Sequence, residues 1–70
     1  MTEDLTEFAI VRFGDGWRIV AKEGAWGRFP GVAEAEAAAF RLAADVEASG
    51  EVVHVLVQQP YGELIPARRN

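Results

Sequence analysis

Cysteine is absent from this chain of 70 residues, histidine and serine occur once each, and proline occurs three times. Without cysteine no disulfide can hold the fold, and one histidine leaves almost nothing from which to build a structural zinc site. No apolar run approaches the roughly 18 residues a membrane-crossing helix requires. The opening residues, Met-Thr-Glu-Asp-Leu-Thr-Glu, are acidic rather than basic-then-apolar, so a secretory leader is not expected and the cytoplasm is the default location. A domain of this size buries only about 60% of the surface of its unfolded chain. With disulfide and metal removed, regular packing or a partner subunit must supply the rest.

Cations are also the minority charge. Seven Lys and Arg stand against eleven Asp and Glu, a net charge of -4 with a pI near 4.8. Proteins that neutralise nucleic-acid phosphates usually present a basic face, so this balance disfavours nucleic acid as a partner.

Half of the residues are nonetheless hydrophobic, and their order is informative. Residues 1–6 read as a polar, flexible N-terminus, 7–66 as one domain and 67–70 as a polar tail. Glu7 to Phe13 is β-branched and aromatic, which predicts a strand. Gly14-Asp15-Gly16 supplies a tight turn, and Trp17 to Lys22 alternates as the returning strand. Residues 23–31, broken by three glycines and a proline, read as a loop.

Val32 to Ser49 contains no Gly or Pro and is dense in Ala, which predicts a helix. Ala35, Ala39, Leu42 and Val46 fall on one stripe with Ala38 and Ala43 at its edges, and Gly50 stands where a helix-ending glycine belongs. Glu51 to Gln59 alternates Val53, Val55, Val57 against Val52, His54, Leu56, and Pro60-Tyr61-Gly62 turns into a short strand ending at Pro66. The predicted fold is therefore α+β, in the order β-β-α-β-β. It has a four-stranded, mainly antiparallel sheet with one helix packed on one face.

Gly16-Trp17-Arg18-Ile19, Phe29, Glu34-Ala35 with Ala39 and Leu42-Ala43, Val52-Val53-His54-Val55, Gly62 and Leu64 occur in an order that resembles the small bacterial domain of unknown function 2188. That family's pattern is a Gly-Trp strand, a Glu-Ala-x-x-x-Ala helix and a Val-x-x-x-Gly hairpin. The likeness spans about residues 8–66, implies the β-β-α-β-β fold and brings no activity. The chain departs from the pattern at Gly31, where Thr or Ser is expected, and in a longer final hairpin through Gln58-Gln59-Pro60-Tyr61. The strand, Gly-Asp-Gly turn, Trp strand, Phe29-Pro30-Gly31 and Ala-rich helix also resemble HicB-type antitoxin domains. Those run three strands before the helix, whereas the loop reading of 23–31 leaves two.

Candidate chemistry is sparse. His54 has the residue type of a general base, but it lies in mid-strand between valines and reads as a polar residue on an open sheet face. Ser49 falls at a helix end, and the paired carboxylates (Glu3 with Asp4, Glu34 with Glu36, Asp45 with Glu47) fall in the tail or on a solvated helix face, so no catalytic, cofactor-binding or metal site is expected. The glycine pairs lack the Lys and the strand-to-helix setting of a phosphate loop.

Large side chains carry more meaning. Trp26 and Phe29 sit among glycines and Phe40 sits off the helix stripe, where they either fold over the core or meet a partner. One helix cannot cover both faces of a sheet, and the face bearing Val52, His54 and Leu56, with Phe8 and Ile10 as expected neighbours, reads as too apolar to face water alone. The expected interaction surface is Trp26, Phe29, Phe40, Val52, His54 and Leu56, and the expected partner is a second copy or another protein. The alternative is a nucleic-acid accessory protein using Arg12, Arg18, Lys22 and Arg28 with Arg68 and Arg69.

Overall fold

The computed structural model describes residues 5–67, and its elements run β1 (Leu5–Phe13), β2 (Gly16–Ala21), β3 (Gly24–Phe29), α1 (Val32–Glu47), β4 (Val52–Gln58) and β5 (Leu64–Pro66). They form one mixed five-stranded sheet in the order β3-β2-β1-β4-β5, with one helix. Three of the strand pairings are antiparallel, and β1 runs parallel to β4. A parallel neighbour needs a crossover, and the helix provides it.

Two expectations are corrected. The sheet has five strands rather than four and is mixed, because Gly24–Phe29 forms a strand instead of a loop. Three strands therefore precede the helix. The first strand also starts at Leu5, so Leu5 and Thr6 belong to the sheet rather than to a flexible N-terminus. Residues 1–4 and the tail arginines Arg68 and Arg69 lie outside the described residues.

Local chemistry explains the connections. Phe13 pairs with Gly16 across a two-residue turn, and Gly14 takes φ +61. Positive φ at the first central position alone is the type II′ arrangement, whose twist matches the flanking strands. At the far end of β1, the Thr6 hydroxyl donates to Glu51 Oε1 at 2.8 Å, tying its start to the start of β4. Where the β1–β4 ladder ends, the Gln58 side chain accepts from the Arg12 backbone N–H at 3.0 Å.

Strand β3 escaped the alternation test because it is an exposed edge with two glycines and a bulge. Trp17 pairs with Phe29 and Ile19 with Trp26, so Gly27 and Arg28 together oppose Arg18. Gly27 takes φ +85 at this point, where an added Cβ would strike the Phe29 ring. An irregular, glycine-bearing edge is a poor template for further strand pairing.

The helix begins at Val32 as expected and ends at Glu47, two residues before the predicted limit. Ser49 donates from both backbone and hydroxyl to the Val46 carbonyl, and Gly50, at φ +93, donates to Glu47. Its fully buried positions are Ala35, Ala39 and Ala43, spaced by four, while Leu42 and Val46 flank the core half-buried. These alanines meet Phe8, Ile10, Ile19, Val55 and Val57, the remaining core residues. Methyl-sized side chains bring the helix backbone close to the strands, so one helix packs across β4, β1, β2 and β3.

That contact fixes which face is covered. Because β1 and β4 are parallel with Phe8 opposite Val55 and Ile10 opposite Val57, Phe8 and Ile10 point to the helix. The expectation that they accompany Val52, His54 and Leu56 is therefore wrong. The open-face neighbours of His54 and Leu56 on β1 are Glu7 and Ala9.

Close packing at the alanine stripe has a direct test. Ala39 has no exposed surface, so Ala39→Leu must push the helix off the sheet at a cost of about 1–3 kcal/mol. Ala37→Leu, on the exposed side of the same helix, changes stability by less than about 0.5 kcal/mol. Urea denaturation of the two variants beside the parent chain measures the contrast.

Candidate interaction surface

The six residues proposed as one surface divide between the two faces of the sheet. Trp26, Phe29 and Phe40 lie on the helix side. The Trp26 ring meets Phe8 edge-on, with centroids 6.1 Å apart and planes at 88°, an arrangement that complements ring quadrupoles. Trp26 keeps 39% of its surface exposed, so it extends the core toward the β3 edge without closing it. Phe29 and Phe40 are half-buried against the core, Phe29 beside Trp17 and Phe40 with Val53, Val55 and Ala67 toward the β5 edge.

Val52, His54 and Leu56 stand together on the opposite face, as their alternation required. The ladder extends this face. Glu7 pairs with His54, Ala9 with both Leu56 and Val20, Val11 with Arg18, and Leu56 with Pro66. Among the described residues no helix lies over it. A hollow of about 360 Å³ lined by Ala9, Val20, Leu56 and Leu64, with Glu7 and Lys22 at its rim, occupies its centre. Ala9, Val11, Val20 and Leu56 are half-buried by their neighbours, while Val52 and Leu64 are 59% and 44% exposed.

His54 projects from this face into solvent and makes no hydrogen bond or ion pair among the described residues. Among those residues, no three His, Cys, Asp or Glu side chains gather as a metal site would require. Ser49 is used in ending the helix, its hydroxyl donating to the Val46 carbonyl.

The cationic side chains show an arrangement that sequence inspection missed. Arg18 lies with its guanidinium carbon 4.1 Å from the centre of the Phe13 ring, and Arg28 approaches the same ring at 5.6 Å. Arg12 stacks separately on Trp17 at 5.2 Å. The bulge at Gly27 turns Arg28 to the open face, and Gly16, paired with Phe13, has no side chain to stand between Phe13 and β3. Those two glycines were the available signal. Lys22 sits at the other end of β2 and Arg12 stacks with Trp17, so the expected cationic set comes together only at Arg18 and Arg28.

Neither Arg18 nor Arg28 has an ion-pair partner among the described residues, and Arg18 Nε is buried without a hydrogen-bond acceptor. Beside them, Phe13, Arg28, Phe29, Pro30 and the Gly14-Asp15-Gly16 turn line an open cleft of about 590 Å³. No described helix is long and apolar enough to cross a membrane. Compared with family models, curated proteins and solved structures, the chain matches none.

The arginine–phenylalanine stack contributes modestly to stability at its exposed position. Replacing Phe13 by Leu keeps an apolar side chain but removes the ring face, with an expected loss of about 0.5–1 kcal/mol. The same replacement in an Arg18→Gln, Arg28→Gln background costs correspondingly less. Urea titrations of the four proteins give this coupling as a double-mutant cycle.

Proposed function

We propose that the protein is a non-enzymatic interaction domain that pairs with a second copy of itself through the open face of its sheet. The carrying observation is the apolar centre formed by Ala9, Val11, Val20 and Leu56, bordered by exposed Val52 and Leu64, on a face that no helix among the described residues covers. A symmetric pairing suits such a face, because the same patch serves both subunits. The apolar residues occupy the middle strands while Glu7, Lys22 and His54 stand around them, the core-and-rim pattern of an association surface. The scarcity of other stabilising devices in so small a chain supports the same reading. A cytoplasmic setting agrees with the lack of cysteine.

A second reading gains from the third strand before the helix. HicB-type antitoxin domains run three strands ahead of their helix, and β1, β2 and β3 are joined antiparallel in that position. In this reading the open face covers a different, toxic protein. Co-purification of a stable one-to-one complex with the product of an adjacent reading frame supports it. Retention of a homodimer in the presence of that product favours the first reading.

The principal reading is tested in solution. The parent chain sediments as a dimer at high micromolar concentration. Leu56→Lys places a charge at the centre of the face and raises the dimer dissociation constant about 10- to 100-fold, a loss of about 1.4–2.8 kcal/mol. Circular dichroism of the variant remains that of the folded chain. A monomeric parent at high micromolar concentration overturns the proposal.

A further inference from the structure

We propose that Phe13, Arg18 and Arg28 form a binding site for a small molecule bearing a phosphate or carboxylate group. The inference does not rest on the paired-sheet reading and uses the cationic end of the same open face, next to Val11.

The first reason is uncompensated charge. In a chain of net charge -4, two guanidiniums share a single aromatic ring with no carboxylate paired to either among the described residues. Like charges gathered on one ring repel, while the ring's electron-rich face attracts each of them. Asp15 is nearby on the wall of the cleft but pairs with neither arginine. An oxyanion supplied from outside relieves the repulsion, and guanidinium forks match the geometry of carboxylate and phosphate oxygens.

The second reason is an unmet donor. Arg18 Nε is buried and donates to nothing. Buried polar groups are almost always partnered, and exceptions of this kind accompany missing ligands or waters. Turning Arg18 from the ring toward an oxyanion gives Nε and one terminal nitrogen the two acceptors of a bidentate contact.

The third reason is room beside Arg28, the one of the two arginines that lines the adjoining cleft. The adjoining cleft of about 590 Å³ falls within the roughly 300–1,000 Å³ range of small-molecule sites. Its Phe13, Phe29 and Pro30 walls suit a flat apolar body, and Asp15 offers an acceptor to a ligand N–H or O–H. A nucleic-acid strand fits less well. Its phosphates need a continuing basic track, whereas Lys22 lies at the opposite end of β2.

The test follows the arginine Nε–Hε resonances of the full chain by nitrogen-15 NMR at low salt, with inorganic phosphate and acetate titrated separately. Saturable shifts of the Arg18 and Arg28 signals with phosphate assign a phosphate ligand, and with acetate a carboxylate ligand. Arg28→Gln weakens the response about tenfold or more. Arg18→Lys, which keeps the charge and loses the fork, also weakens it, while Lys22→Gln leaves it unchanged. Shifts that never saturate, or an equal response in Lys22→Gln and Arg28→Gln, overturn the site. A response to a short single-stranded oligonucleotide with none to phosphate or acetate overturns its assignment to small molecules.

Discussion

The structure depends on the contact between three alanines and the middle of the sheet. Ala35, Ala39 and Ala43 carry almost no side chain of their own, and each is fully buried. Larger residues there would lift the helix and open space between the layers. Alanines let Ile10 and Ile19, also without exposed surface, fill that space. The result is a thin, close-packed core that a chain of this length can complete without a disulfide or a metal.

The same economy creates the open face. One helix of 16 residues covers one side of a five-stranded sheet, and the described residues hold no second helix for the other. The parallel pairing of β1 with β4 puts Phe8, Ile10, Val55 and Val57 under the helix, and so commits Ala9 and Leu56 to the outside. A water-facing sheet normally alternates apolar with polar residues. Here the outward positions in the centre stay apolar, whereas the polar ones gather at the ends: Glu7 and Lys22 at one, Arg18 and Arg28 at the other. The proposed apolar association at the centre and the proposed anion recognition at the cationic end would therefore be neighbouring uses of one uncovered surface.

Much of this architecture was legible from residues alone, and the misses share a cause. The helix announced itself through its alanine spacing and the absence of Gly and Pro, and the period-two pattern of residues 52–57 correctly separated Val53, Val55 and Val57 from Val52, His54 and Leu56. Strand β3 was hidden because Gly24 and Gly27 imitate loop composition, while its exposure leaves no alternation to detect. The neighbours of His54 were misassigned because alternation gives the two faces of each strand but not which strands pair, or in which direction. The grouping of Arg18 and Arg28 on Phe13 depends on a bulge, which changes the pairing register locally and cannot be read from spacing. Trp26, Phe29 and Phe40 were grouped with Val52, His54 and Leu56 because residues 23–31 read as a loop and the face under the helix was unknown; the fold puts them on the helix side.

The central claim is that the face opposite the alanine-packed helix becomes a second buried layer when two copies meet. Methyl NMR with a soluble paramagnetic probe examines it directly, since Val11, Val20 and Leu56 report the open face while Val55 and Val57 report the core. At high protein concentration the account predicts that all five residues are shielded, and that dilution exposes Val11, Val20 and Leu56 alone. Strong broadening of those three at every concentration, with Val55 and Val57 protected throughout, would contradict it.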